Sequence, residues 1–297
     1  MRGTTILVMG ATGTVGGAVA AELAGGEARV RGATRDPARA RGTAVPVGEW
    51  VPFDLERPET FGSALAGVDR VFLVARPGDE DPLRVAAPLL SEMERRGIRR
   101  VVNLTALGVE RREDVALREV ELEVERGGFE WTHLRPNWFM QVFIAGPLLA
   151  GLRRGVLAVP AADARISYVD ARDVAAVAAA ALTEEGHEGA AYSLTGGESL
   201  DHTEVAARLS AAGREIEYRA LSEAEARSAV LAAGLDGRRA ERLMGFYRLV
   251  REGHSAPVLP DVEEVLGRPP IPFDRFVRDH AECWSRGAVQ PSSRASS

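Results

Sequence analysis

Along its first half the chain alternates short apolar runs with stretches of helical periodicity. Thr5–Met9, Ala28–Ala33, Glu49–Phe53, Arg70–Val74, Arg100–Leu104 and Trp131–Leu134 are short runs with apolar residues at half or more of their positions. Such short runs suit strands of a parallel sheet buried on both faces. Between them, Val15–Leu23, Thr60–Leu65, Leu83–Arg96 and Val115–Glu125 read as helices, the last two stopping at Gly97 and at Gly127-Gly128. This rhythm predicts βαβ units and hence an α/β, Rossmann-type, doubly wound parallel sheet.

After Arg135-Pro136 the rhythm changes. Asn137–Leu152 is apolar and aromatic, with Gly146-Pro147 interrupting it. Arg165–Val169 reads as a short strand, Val174–Leu182 as an alanine-rich helix and Ala191–Leu194 as a further sheet strand. From His202 onward helices dominate, one of them opening at the capping box Ser222–Glu225. The expected organisation is a dinucleotide-binding domain over 1–135, with sheet elements returning at about 165–196. A smaller, mostly helical C-terminal lobe would comprise 136–164 and 197–289, and the polar 290–297 would be a disordered tail. A cleft between two such lobes is where a substrate is expected.

The chemistry starts at Gly10-Ala11-Thr12-Gly13-Thr14-Val15-Gly16, between the first strand and the first helix. A helix N-terminus offers unpaired N–H groups and a partial positive charge, and both suit a pyrophosphate. Glycines let the backbone turn sharply and come close to the phosphates. The spacing is G-x-x-G-x-x-G, so the strand–turn–helix context carries the reading more than the glycines do. Gly10, Thr12, Gly13, Thr14, Val15 and Gly16 are therefore expected to bind a dinucleotide.

The second strand ends in Thr34-Arg35-Asp36. An acid at that tip favours NAD through the ribose 2′-hydroxyl, whereas an Arg accommodates the 2′-phosphate of NADP. Thr34 and Arg35 come first, which favours NADP(H) over NAD(H), although a small shift of register would place Asp36 there instead. Asp54 and Leu55 follow the third strand and are candidates for the adenine, or Asp54 simply caps a turn. Val74, Ala75 and Arg76 end the fourth strand, beneath the expected cofactor ribose.

Composition narrows the class. The 297 residues carry a net charge of −6, which argues against direct nucleic-acid binding. No segment approaches the roughly 18 apolar residues of a membrane span, and a cytoplasmic location is expected. Cys283 is the one cysteine, and the five histidines are scattered without metal-ligand spacing, so no metal is expected. All 37 basic residues are arginine. Any mechanism that needs a lysine amine is thereby closed.

The glycine loop, Thr34-Arg35-Asp36, Asp54-Leu55, Leu134-Arg135-Pro136-Asn137, Val169–Ala175, Tyr192–Gly196 and Gly267–Pro270 together resemble the NmrA-like group of atypical short-chain dehydrogenases. The resemblance covers nearly the whole chain. It implies a Rossmann-type domain binding NADP(H), with a smaller domain over the nicotinamide. Members include quinone reductases, dye reductases, redox-sensing regulators and tailoring enzymes of aromatic polyketides, so the fold does not settle the activity. The chain lacks the Tyr-x-x-x-Lys of short-chain dehydrogenases at large: Thr105 follows the fifth strand, but the matching helix offers Leu117 and Glu121.

Without that relay, a simple ketone is a poor substrate because a developing alkoxide needs a prompt proton. A quinone or similarly conjugated aromatic molecule delocalises the charge. Thr105 and Asn137 are the candidate catalytic residues, and with Pro136 they are also expected to touch the cofactor. Trp138, Phe139, Met140 and Phe143 are candidates to wall a planar substrate or, equally, to form ordinary core. His133 reads more readily as a core histidine than as an acid–base group, and Glu119, Glu121, Glu123 and Glu125 read as a solvated helix face. The leading expectation is an NADPH-dependent oxidoreductase acting on a quinone or similar small molecule. The alternatives are an NADP(H) redox sensor without turnover and a non-redox aromatic polyketide tailoring enzyme. A homodimer is left open.

Overall fold

The computed structural model describes residues 3–75, 81–111 and 115–285. The expected tail at 290–297 lies outside them. Seven strands form one parallel sheet: β1 (Thr5–Val8), β2 (Arg29–Thr34), β3 (Glu49–Pro52), β4 (Arg70–Val74), β5 (Arg100–Leu104), β6 (Glu130–Pro136) and β8 (Ala190–Leu194). β7 (Val156–Val159) and β9 (Glu217–Ala220) pair separately. The main order is β3-β2-β1-β4-β5-β6-β8, with β1 at the centre of the reversal and Val8 paired to both Gly32 and Phe72. This is the doubly wound architecture, in which ligands bind outside the carboxyl ends of the strands where the order reverses.

Both sheet faces are apolar, and alternation along each strand feeds two cores. Ile6, Val8, Phe72 and Val102 point to one side, where they meet Val19, Ala20, Val174 and Ala178 of the helices α1 (Thr14–Leu23) and α7 (Ala171–Thr183). Leu7, Met9, Val71, Leu73 and Val101 point to the other, against α3 (Phe61–Ala64), α4 (Pro82–Arg95) and α5 (Ala116–Arg126). The short α2 (Pro37–Ala40) follows β2. Alanine is the small residue that lets α7 lie close along α1.

Two compact units emerge. The first comprises Met1–Phe139, Tyr168–Gly197 and Val258–Ile271. It thus takes in 136–139 and 258–271, which the sequence had suggested for the C-terminal lobe. The late segment is tied in by α11 (Asp261–Leu266), whose Val262 is fully buried in the first core. The buried Asp173 accepts from the Arg268 guanidinium (2.7 Å) and the Ile271 N–H (2.7 Å).

The second unit comprises Met140–Ser167, Glu198–Pro257 and Pro272–Ser297. Its helices are α6 (Gly146–Leu152), α8 (His202–Ser210), α9 (Glu223–Ala232), α10 (Gly237–Arg251), α12 (Phe273–His280) and α13 (Glu282–Ser285), and its small sheet is β7–β9. Gly146-Pro147, which interrupts the apolar stretch 137–152, starts α6, because proline suits the first helical turn. Two details differ from expectation. Arg165–Val169 is not a strand: Ile166 exchanges backbone hydrogen bonds with Leu200, and Ser167 donates its N–H to Ser255 O. β7 and β9 are two further strands, neither among those expected: β7 is the apolar run Val-Leu-Ala-Val, and β9 has no apolar pattern to announce it.

Candidate functional site

The phosphate loop is built by its backbone. Gly10 turns the chain with φ +63°, a left-handed conformation that favours glycine. The Gly13 N–H donates to Gly10 O (2.8 Å), and the Gly17 N–H donates to Gly13 O (2.9 Å), closing the first turn of α1. Gly13 is the N-cap and supplies no side-chain acceptor, so the first-turn N–H groups of Thr14, Val15 and Gly16 are left for a ligand. A Cβ on Gly16 would stand 2.3 Å from Gly10 O, 2.5 Å from Gly10 C and 2.6 Å from Met9 O. Only glycine fits there. Thr12, Gly13 and Thr14 are exposed above this cradle, and Val15 packs against the core.

At the tip of β2 the competition between Arg35 and Asp36 has a structural outcome. Asp36 caps α2: its Oδ1 accepts from the Arg39 N–H at 3.0 Å. The half-buried Thr34 hydroxyl accepts from the Asp36 N–H (3.3 Å) and shapes the same turn. Arg35 is exposed and makes no ion pair among the described residues. After β3, Asp54 Oδ1 accepts from the Glu56 N–H (3.2 Å), while Leu55 leans on the core. Val74 ends β4 and the buried Ala75 follows it. Arg76 lies outside the described residues.

Beyond the reversal, β5 and β6 carry a buried polar cluster. Thr105 is 8% exposed; its N–H donates to Leu134 O (2.8 Å) and its hydroxyl donates to Glu121 Oε1 (2.7 Å). Glu121 does not sit on a solvated face: its exposure is 0%. Arg135 holds it through two parallel bonds, Nε to Oε1 (2.9 Å) and Nη2 to Oε2 (2.8 Å), and Arg118 Nη1 adds a third at 2.7 Å. Burial alone would raise the Glu121 carboxyl; the hydrogen bonds from Arg135 and Thr105, aided by Arg118, outweigh it and hold it below the ordinary carboxylate range.

His133 is buried in the same cluster, stacked on Trp131 (centroids 4.5 Å apart), with Nδ1 3.4 Å from Asn103 Nδ2. Burial pushes its imidazole down to about 4 against the pull of Glu121 and Glu125, so it is neutral at physiological pH. Potential ligand atoms of Glu121, Glu125 and His133 lie within 4.8 Å of one another. The seat a cation would take there is held by the protein itself, because Arg118 Nη1 contacts both Glu121 Oε2 and Glu125 Oε1 at 2.7 Å.

At the end of β6, the carbonyl of buried Pro136 accepts from the Leu107 N–H (3.0 Å), and the N–H of buried Asn137 donates to Leu194 O (2.9 Å). These bonds join the ends of β5, β6 and β8. Trp138 and Phe139 follow, both half-buried, with Trp138 O accepting from the Val169 N–H (2.9 Å). Met140 and Phe143 are buried in the second unit, where Phe143 meets Phe273 edge-on at 5.6 Å.

The family model described as NAD(P)H-binding matches residues 10–185, from the glycine loop to just past α7. The chain belongs to this NAD(P)H-binding family. It is 35% identical to an NAD(P)H azoreductase of Xenophilus azovorans, over 94% of this chain and 99% of that protein. It is 38% identical to the (4-alkanoyl-5-oxo-2,5-dihydrofuran-3-yl)methyl phosphate reductase of Streptomyces griseus, again over 94% and 99%. Among solved structures it resembles the NADPH-dependent quinone oxidoreductase of Escherichia coli in complex with NADPH (TM-score 0.78, 24% identity, 92% and 99% coverage). It also resembles NmrA, a negative transcriptional regulator, in complex with NADP (TM-score 0.74, 15% identity, 94% and 95% coverage). At these identities the two structures speak for the NmrA-like, atypical short-chain dehydrogenase fold. No helix among the described residues is long and apolar enough to cross a membrane.

Proposed function

We propose that the chain is an NADPH-dependent reductase that passes hydride to a quinone or similarly conjugated aromatic molecule, without a Tyr/Lys relay. The enzyme class follows from the family and from full-length relatives named reductases. The preference for NADPH rests on the β2 tip, where Asp36 is engaged as a cap and Arg35 stands free to form a forked pair with a 2′-phosphate.

The residues present fit such a cofactor: a glycine-only cradle, an uncapped first turn and a free guanidinium at the right strand end. When bound, the reduced nicotinamide supplies two electrons and a proton together as hydride. The first turn of α1 holds the pyrophosphate, Thr105 and Asn137 orient the nicotinamide half, and Trp138 and Phe139 offer ring faces to a planar acceptor.

The observation that carries the acceptor class is the Thr105–Glu121 bond. With Glu121 ionised, His133 neutral and no lysine in the chain, this cluster has no ready proton to give. Acceptors that delocalise the arriving charge and take a proton from water suit it best. The test is a titration with NADPH and NADH, followed by spectrophotometry with benzo-, naphtho- and anthraquinones and azo dyes. Acceptor-dependent oxidation of NADPH supports the reading. Tight binding with no oxidation by any acceptor defeats it in favour of a sensor, and acceptor conversion without NADPH consumption defeats it in favour of a non-redox enzyme.

A further inference from the structure

The Glu121 carboxylate is saturated. Oε1 accepts from Thr105 Oγ1 and Arg135 Nε; Oε2 accepts from Arg135 Nη2 and Arg118 Nη1. A threonine hydroxyl has one proton and two lone pairs. Here the proton is committed to a buried, ionised carboxylate, the strongest acceptor within reach; Leu134 O stands farther off at 3.4 Å. Such O–H···O⁻ bonds are about twice as strong as neutral ones. What Thr105 retains for a ligand at the carboxyl edge of the sheet is lone pairs.

We propose that Glu121 is a positioning residue that turns Thr105 into an obligate hydrogen-bond acceptor for the nicotinamide half of the cofactor. The donors available on that half are the ribose hydroxyls and the carboxamide N–H. Arg135 and Arg118 have a defined part in this device: their guanidinium groups keep the carboxylate ionised and leave it one free position, which Thr105 fills. The inference rests on cofactor binding as read above, but not on which acceptor is reduced or on whether turnover occurs.

The geometry also fixes what Glu121→Gln does. Two guanidinium groups meet at the Oε2 position, so the carboxamide oxygen takes that place and its NH₂ faces Thr105. The amide then donates into a Thr105 lone pair, and the hydroxyl proton is released toward the ligand. A site that accepted becomes one that donates, and Arg135 Nε, which also bonded Oε1, is left facing the same NH₂ without an acceptor there.

The experiment compares binding of NADPH with binding of adenosine 2′,5′-bisphosphate, which ends before the nicotinamide ribose, in wild type, Thr105→Val, Thr105→Ser, Glu121→Gln and the Val/Gln double variant. Thr105→Val is expected to weaken NADPH by about 5- to 10-fold, the worth of one net hydrogen bond, and to leave the bisphosphate unchanged. Thr105→Ser restores the wild-type value. Glu121→Gln weakens NADPH to a similar extent, and the double variant is no weaker than Thr105→Val alone, because both changes remove the same bond.

Equal losses for the two ligands, no loss in Thr105→Val, or strictly additive losses overturn the proposal. Should Glu121→Gln fail to fold, the Thr105 pair still tests the contact on which the proposal depends, and no loss of NADPH binding in Thr105→Val overturns it. If wild type prefers NADH, the NADPH preference has failed, and the same comparison made with NADH and 5′-AMP still decides the role of Glu121.

Discussion

Gly16→Ala gives the most direct test of the phosphate loop. The added Cβ would meet three backbone atoms at 2.3, 2.5 and 2.6 Å, all in Met9 and Gly10. None is the end of a flexible side chain, so β1 and α1 must separate by roughly 1 Å to reach ordinary contact. Overpacking of this kind costs about 1–3 kcal/mol, against which alanine in a helix returns about 1 kcal/mol. Net stability therefore falls by at most about 2 kcal/mol on these two terms. The cofactor loses more. Displacing the first turn misaims its N–H groups, and two charge-assisted bonds at about 1.5 kcal/mol each correspond to roughly a hundredfold weaker NADPH binding.

Gly17→Ala is the control. Its Cβ would lie 3.2 Å from Ala11 O and 3.8 Å from Val45 Cγ2, a contact that a small shift relieves. The assay is thermal unfolding beside an NADPH fluorescence titration for both variants. If Gly16→Ala binds NADPH within twofold of wild type, the cradle does not hold the pyrophosphate and the site has been misplaced.

Other expectations are as concrete. Arg35→Ala should weaken NADPH about 10- to 100-fold while leaving NADH within twofold, since only the former carries the phosphate that a guanidinium grips; equal losses would remove Arg35 from the site. Arg135→Met leaves the fully buried Glu121 without its bidentate partner and should cost about 3–5 kcal/mol in denaturant unfolding, and a cost under 1 kcal/mol would show that the cluster relaxes freely. His133 and His202 are both lowered by burial from 6.5 to about 4. The unfolded chain takes up their protons near pH 6.5 and the folded chain only near 4, so stability present above pH 6.5 is lost as the pH falls through that window, by about 3 kcal/mol per histidine. His133→Gln should flatten that part of the stability–pH curve, and an unchanged slope would contradict its burial as a neutral group.

The sheet was legible in the sequence because its inner strands, such as β1, β4 and β5, are buried on both faces and so appear as short apolar-rich runs, whereas the edge strands β3 and β8 are only partly buried. β9 (Glu217–Ala220) was not legible: its pattern is Glu-Tyr-Arg-Ala, largely exposed, and it is a strand because β7 offers it backbone partners. Arg165–Val169 failed in the opposite sense. Its apolar residues are buried, but its backbone bonds go to loops.

At the site, the glycine loop could be read because local geometry alone demands those residues. Glu121 could not be read, since its burial depends on Arg135 arriving from β6, fourteen residues on. The available signal was Arg135 itself, a cation in an apolar strand that needs an anion nearby. Asp36 illustrates a third case. Position alone made it a rival for the ribose, and its engagement as a cap emerges only once the backbone is in place.

The segment 258–271 belongs to the first unit although the chain between 198 and 257 does not. Biosynthesis runs from one end, so the nucleotide-binding unit cannot be finished when its last sheet strand, β8, is made. Val262 enters the first core, Asp261 receives the Ser193 N–H, and Arg268 and Ile271 reach the buried Asp173 only after some sixty residues of the other unit have been added. Until then Asp173 is an acid without its counter-charge, beside a core lacking one wall. A nascent chain ending near residue 250 should therefore leave the first unit protease-sensitive, and extension through Ile271 should protect it.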